Sequence, residues 1–387
     1  MTTDATAPGV LGEPGFLGRA EFALADELEE LRAVADRLGR DLLANRVREA
    51  EAAGRLNDDV MAVLDGFPLT GLDLAEQLGG AGAGVLAKSV VLETLARHDA
   101  GGLPAADRLG SAAGVLEHCP DRSLAGDIAA ACLTGDARIG LTVPDETTGG
   151  RLAWMPAWPR PRWVATCAGD TLTLHELADG ADADPVQALA FQASGGASVD
   201  LATTNETGRW ELGRGEGAVI RGRARLDGAA VAVGVAAAAL DDTIGYTTER
   251  IVFGKPVAHH QGNAFDLAVA GSRVHGARLM VRFAATRLDA VAAGGGGPEA
   301  ARDAGFWATQ AWLETMDTAF TVTDTGIQLL GGHGFIVDHL AEKRFREARH
   351  LALQVGARDS AEQDVAVSVL EVGDLLDRPA AAGEETR

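Results

Sequence analysis

The chain has 387 residues, 47% of them hydrophobic, with a formal net charge of -22 at pH 7. That acidic balance argues against nucleic-acid binding, which draws on clustered Lys and Arg to neutralise phosphates, and no apolar run approaches the roughly 18–20 residues of a membrane span. The polar start Met1-Thr2-Thr3-Asp4 lacks the layout of a secretory leader, and the odd, scattered set Cys119, Cys132 and Cys167 suits neither a disulfide framework nor a zinc site, so a reduced cytoplasm is the expected compartment.

Residues 1–19 read as a tail, and 20–133 as an N-terminal α-helical domain. Leu24, Leu28, Leu31, Ala35, Leu38 and Leu42 recur at steps of four and three, the stripe of an amphipathic helix. The loop Leu72–Gly82 breaks the pattern and Leu86–His98 resumes it. Across 134–228 the period shortens: Trp163–Thr166 and Thr171–Leu174 read as strands between turn residues, giving a small middle β domain. Helices return over 229–375. Leu267, Ala270, Val274, Ala277, Val281, Ala284, Leu288 and Val291 form one unbroken stripe, and Gly294–Pro298 ends it. A further helix spans Glu299–Leu330, and long helices joined by tight turns make a four-helix bundle, followed by a tail at 376–387. The fold class expected is α+β, in the order α, β, α.

Two motifs in the last third carry chemistry. The first is Tyr246-Thr247-Thr248-Glu249-Arg250-Ile251-Val252-Phe253-Gly254-Lys255-Pro256, followed by Gln261. Arg250 offers a planar fork suited to a pyrophosphate, and Phe253 a flat apolar face. The bland alternative is an ordinary helix connection with a surface arginine. The second motif is Gln328-x-x-Gly331-Gly332-His333-Gly334-Phe335, which runs on through Glu342–Arg349 to Leu353-Gln354-Val355-Gly356-Ala357. Gly331 and Gly332 allow a ligand close to the backbone, and Gln328 presents an amide. Lys343, Arg344, Arg346 and Arg349 are expected on a solvated helix face with Glu342 and Glu347. His259, His260, His333 and His339 lack metal-ligand spacing and read as turn or surface residues.

Together these motifs resemble the acyl-CoA dehydrogenase family, whose patterns are R-x-x-F-G-x-x-x-x-x-x-Q, Q-x-x-GG-x-G and a terminal E-G-T. The resemblance covers nearly the whole chain and implies an N-terminal helical domain, a middle β domain and a C-terminal four-helix bundle. It also implies FAD as cofactor and α,β-dehydrogenation of an acyl-CoA, begun by a Glu that removes the α proton. In register that Glu is Val355, and the Thr of the triplet is Ala357. Some members carry the base at the start of the first C-terminal helix; here that position is Ala224, with Arg225 beside it matching a substrate-contacting arginine. Neither Val nor Ala can accept a proton. The loop the family writes L-T-E-P-x-A-G-S-D, which holds a chain's own flavin, reads Leu141-Thr142-Val143-Pro144-Asp145-Glu146-Thr147-Thr148-Gly149-Gly150. Asp359 further places a negative charge where a pyrophosphate would lie. By contrast Arg250, Phe253, Gln261, Gln328, Gly331 and Gly332 survive, and in the family such elements reach the FAD held mainly by the neighbouring subunit.

What would serve this chain's own flavin is eroded, and what would support a neighbour's is kept. The resemblance therefore implies the non-catalytic subunit of a heteromeric dehydrogenase, an α2β2 heterotetramer with a homologous catalytic subunit, acting on a bulky, for instance sterol-derived, acyl-CoA. Gly305-Phe306-Trp307-Ala308 matches such degenerate subunits. Two alternatives stand beside it: a homomeric flavoprotein of the same fold with oxidase, monooxygenase or tailoring chemistry, and a flavin-free binding or scaffold protein. The retained Arg250, Phe253 and Gln328 count against the last.

Overall fold

The computed structural model describes residues 24–143, 151–158, 160–177 and 183–376; the expected tails at 1–19 and 376–387 fall outside these but for Leu376, as does the Pro144–Gly150 part of the loop above. Helix α1 (Asp26–Leu38) continues as a π-helical stretch Gly39–Leu43. Its stripe meets the main core, with Ala35 and Leu43 buried and Leu31, Leu38 and Leu42 packed against them. Short helices α2 (Val47–Ala53) and α3 (Asp58–Asp65) lead to α4 (Val85–His98), which is buried on almost every side. The first turn of α4 is capped from a distant helix. Asp289 accepts from the backbone N–H groups of Val85 (2.6 Å) and Leu86 (3.1 Å), which an N-terminus otherwise leaves unsatisfied. Then come α5 (Leu103–Ala106), α6 (Ala113–His118) and α7 (Arg122–Thr134).

The middle domain holds two sheets. Strands β1 (Arg138–Thr142), β3 (Pro161–Ala168), β4 (Thr171–Glu176) and β7 (Asn205–Glu211) pair in the order β1-β3-β4-β7, with only β1 and β3 parallel. Strands β2 (Arg151–Met155), β5 (Ala183–Pro185) and β6 (Ala197–Asp200) form the second sheet, ordered β2-β6-β5. Alternation along β3 explains the layering. Trp163, Ala165 and Cys167 face Leu116, Ile128 and their neighbours on α6 and α7, while Val164 faces Met155 and Val199 on the second sheet.

The bundle comprises α8 (Glu216–Glu249), α9 (Gln261–Ala292) and α10 (Gly297–Leu330), with α11 (Ala341–Leu351) and α12 (Ala357–Leu376). Helix α8 starts at Glu216, so the β-domain boundary expected at 228 lies too late. Its first turns carry Gly217, Gly222, three arginines and Asp227, which break the apolar period. The helix holds because those groups are buried against partners. By length and composition α8 could cross a membrane, yet 72% of its most apolar stretch is buried inside the bundle, as befits a core helix. Close approach sets its neighbours. A Cβ on Gly234 would lie 2.4 Å from the Glu93 carbonyl of α4, and one on Gly222 would lie 3.0 Å from Gly305 of α10. Gly305 is thus explained by helix–helix contact.

One expected surface is a core. Lys343, Arg344 and Glu347 are all buried. With Ala348 and Leu351 they share the inward face of α11, because steps of three and four keep residues on one side. Lys343 donates to Asp99 (2.6 Å) and also pairs with Glu347, while Arg344 pairs with Asp242 and Arg346 with Glu51 and Glu342. Interior neutralisation accommodates Lys343, Arg344 and Glu347, whereas Arg349 faces solvent as expected.

Candidate functional site

A cavity of about 300 Å3 opens where the middle domain meets α4, α5, α8 and the segment after α11. Leu92, Leu103, Phe191, Val231 and Leu351 supply apolar walls, and Val355 lies on the wall too. Val355, Gly356 and Ala357 all have positive φ (53°, 83° and 55°). For a β-branched residue that conformation is an outlier. The loop is further locked by Val143: a Cβ on Gly356 would sit 2.9 Å from the Val143 Cβ. Both positions that the resemblance would fill with glutamates, 143 and 355, are valines on the wall of the same cavity. Ala224 is fully buried on α8 and is not part of the cavity wall.

Arg225 does not reach the cavity. It is fully buried, and donates to Asp364 (2.6 Å), Thr309 (3.0 Å) and Ser360 (3.1 Å). Arg221, one turn earlier, donates to both carboxylate oxygens of Asp364 (3.2 and 3.3 Å), sharing Oδ2 with Arg225, and to the Gly169 carbonyl. These two arginines pin α12 onto α8, so Arg225 acts in packing where a substrate contact was expected. Arg223 and Asp227, on the opposite face, belong to a second network. Arg223 donates to Asp73 (2.8 and 3.0 Å) and pairs with Glu117.

Lys88 of α4 is the centre of that network. Its Nζ lies 3.2 Å from Asp73, 3.0 Å from Asp107 and 3.5 Å from Asp227, and donates to the Gly110 carbonyl. Burial opposes its charge, but three carboxylates outweigh burial and hold it firmly protonated. Burial likewise raises Asp107, and pushes Asp227 up to about 7 with the help of the neighbouring carboxylates. Asp107, Arg138 and Asp227 all line the cavity. Sequence reasoning missed this cluster; its one signal is Lys88, a lone charge inside the apolar run Val85–Leu92. His350 was missed as well. It lines the cavity, stacks edge-on against Trp154 (4.5 Å) and packs against Phe191 (5.1 Å), and burial pushes it down to about 4, leaving the imidazole neutral.

The two motifs meet elsewhere, on the surface. Residues 251–252 (β8) and 255–256 (β9) form a tight hairpin whose turn is Phe253-Gly254, with φ 49° and 80°. Two left-handed residues at such a turn favour Asn-Gly, not phenylalanine. Phe253 is nonetheless there, 95% exposed, and Arg250 and Gln261 beside it are exposed too. Gln328, Gly331 and Gly332 are exposed at the end of α10. Gly331 has φ 59° and ψ -130°, a conformation glycine alone adopts readily, with open space around it. Tyr246 links the two segments: its hydroxyl lies 2.6 Å from His333 Nδ1 and its ring meets His339 edge-on at 5.7 Å. His260 accepts the same kind of structural role at Val252, 3.0 Å from its carbonyl.

Comparisons with known proteins agree with this architecture. The family model for the acyl-CoA dehydrogenase N-terminal domain matches residues 25–119, and that for the C-terminal domain matches 222–370. A probable acyl-CoA dehydrogenase, FadE25 of Mycobacterium tuberculosis, is 26% identical over 377 residues, covering 88% of this chain and 94% of the relative. Butyryl-CoA dehydrogenase from Megasphaera elsdenii superposes with a TM-score of 0.74 at 21% identity, covering 91% of this chain and all of that one. A variant of the Tcur3481-Tcur3483 steroid ACAD gives a TM-score of 0.69 at 24% identity, over 90% and 98% of the two chains.

Proposed function

The chain belongs to the acyl-CoA dehydrogenase family, and from that premise we propose that it is the non-catalytic subunit of a heteromeric FAD-dependent acyl-CoA dehydrogenase. A homologous catalytic subunit supplies the base, the two form an α2β2 assembly, and the substrate is a bulky acyl-CoA of which sterol-derived thioesters are one class. A precedent in the same fold is the steroid ACAD whose name joins two designations.

The family binds FAD, which when bound supplies the hydride acceptor for oxidation of a CH–CH bond. The residues of this chain fit that cofactor from outside and not from within. Outward, Arg250 presents its guanidinium, Phe253 its ring, and Gln328, Gly331 and Gly332 an uncluttered polar edge. Inward, Val143 and Gly356 close on each other, Arg221 and Arg225 are spent on Asp364, and no carboxylate stands at 355 or 224. Phe253 carries the reading. It is exposed where water disfavours it and left-handed where its Cβ disfavours it, so a partner surface is the reason for its place.

A second reading rests on the cavity with Asp227: a homomeric flavoprotein of this fold with other chemistry. Visible absorbance of the chain purified alone separates the two. A flavin-to-protein ratio near zero, rising when a homologous chain with an intact E-G-T is co-expressed, supports the supporting-subunit reading. A ratio near one sinks it in favour of the homomeric enzyme.

A further inference from the structure

The outward-facing edge carries one polar side chain that its motif leaves open. His333 fills the variable position of Gly331-Gly332-x-Gly334 and is exposed. Its Nδ1 lies 2.6 Å from the Tyr246 hydroxyl, and the two rings meet edge-on at 5.6 Å. The His339 ring lies 5.3 Å from that of His333 and completes the clip. The loop carrying both histidines is pinned from α2, where Arg48 donates to the carbonyls of Val337 (2.9 Å) and His339 (2.7 Å). His333 is thus a surface side chain held at one defined place.

Helix geometry sets that place beside Arg250. Tyr246 and Arg250 are four residues apart and share one face at the end of α8, where the Arg250 N–H donates to the Tyr246 carbonyl (3.0 Å). The Arg250 guanidinium is exposed, with no carboxylate partner among the described residues. A phenol donates well, so the Tyr246 O–H occupies the Nδ1 lone pair and leaves the proton of a neutral imidazole on Nε2. Nε2 has no partner among the described residues either. Two unpaired N–H donors at one exposed edge suit an anionic oxygen cluster. We propose that His333, positioned by Tyr246, is a further contact to the pyrophosphate of the FAD held by the partner, donating from Nε2 alongside Arg250. The inference rests on the supporting-subunit reading.

The test is titration of FAD into the deflavinated complex of this chain with the homologous chain that carries an intact E-G-T. Quenching of flavin fluorescence reads the affinity from about pH 8 down to about pH 5.5, over which an ordinary imidazole takes up its proton. Asp338 and His339 stand on the same loop, and Asp241, Asp242, Glu249 and Arg344 line the cavity beside Tyr246, with Asp241 paired to Arg97 and Asp242 to Arg344. Each of these can shape a pH profile, so the informative part is what His333→Ala removes. The unaltered complex binds FAD more tightly as pH falls. His333→Ala weakens binding roughly threefold at the upper end and on the order of tenfold at the lower, which removes most of that trend. Tyr246→Phe alone weakens binding roughly threefold and adds nothing on the His333→Ala background, because its hydroxyl acts only through His333. A complex that binds no FAD sinks the supporting-subunit reading and this contact with it. If the complex binds FAD, three results overturn the contact alone: unchanged affinity in His333→Ala, a loss of the same factor at every pH, or a Tyr246→Phe loss that is equal in both backgrounds.

Discussion

At the scale of single residues, the positions that break local rules are the informative ones. Phe253 and Val355 both take positive φ without being glycine, but for different reasons. Val355 is half-buried in the segment that closes on Val143, whereas Phe253 is almost wholly exposed, with an edge-on contact to His260 at 6.5 Å. Replacing Phe253 with Asn, which tolerates the turn, is expected to stabilise the isolated chain by about 1 kcal/mol in a urea titration. The same variant should lower retention of flavin by the assembled complex; unchanged retention would remove Phe253 from the partner-facing set. Asp227 breaks a rule of another kind, a carboxyl lifted from 3.8 to about 7 chiefly by burial, with Asp73 and Asp107 adding to it. Between those values the folded chain holds a proton that the unfolded chain has lost, so its contribution to stability is full below pH 3.8 and fades as pH rises through about 7. Asp227→Asn has no such dependence. Its stability relative to the unaltered chain should therefore grow between pH 5 and pH 8, on the order of 1–3 kcal/mol in thermal melts. A constant difference across that range would show that Asp227 does not titrate there.

At the scale of elements, what could be read from sequence depended on whether a face met solvent. The stripes of α1 and α9 follow from apolar spacing because each has one wet side and one dry side, whereas β3 and β4, buried at consecutive positions, are marked by the turn residues that bound them. The start of α8 was illegible for the opposite reason. Arg221, Arg223, Arg225 and Asp227 look solvated in a row, yet all are buried with partners contributed by residues as distant as Asp73 and Asp364. α11 misleads in the same way, since its charges neutralise one another across helices. The two surface motifs were legible because turn chemistry is local, while the Lys88 cluster was not, because it joins α4, α8 and two loops. Lys343→Met tests the buried network of α11. It leaves Asp99 and Glu347 facing each other without a cation, and removing one partner of a buried pair costs about 3–5 kcal/mol. The loss should be larger at pH 8 than at pH 5, because Glu347, already raised by burial, takes up a proton at the lower pH. Chemical denaturation at the two pH values reads both effects, and a loss below 1 kcal/mol at pH 8 would return Lys343 to a solvated face.

For the molecule as a whole, the erosion is distributed, and that makes a definite claim about repair. If the base alone were missing, Val355→Glu would restore a dehydrogenase. The surroundings argue otherwise. Position 355 sits at φ 53°, where a longer side chain gains no relief, and the adjoining Gly356 is pressed against Val143. Ala357 offers no hydroxyl, and Arg225 is committed to Asp364, Thr309 and Ser360. A carboxylate introduced there would enter an apolar wall of the cavity that also holds Asp107, Asp227 and a neutral His350, which raises its pKa and leaves less of it ionised near neutral pH. Val355→Glu in the chain alone is therefore expected to show no acyl-CoA-dependent reduction of an artificial electron acceptor, with straight-chain or bulky thioesters and with FAD added. The matching change in a co-expressed catalytic partner, Glu to Gln in its E-G-T, should abolish activity of the assembled complex, although this chain is unaltered. Activity restored by Val355→Glu alone would mean that the chain holds its own flavin in a working pose, and the division of labour between two subunits would have to be abandoned.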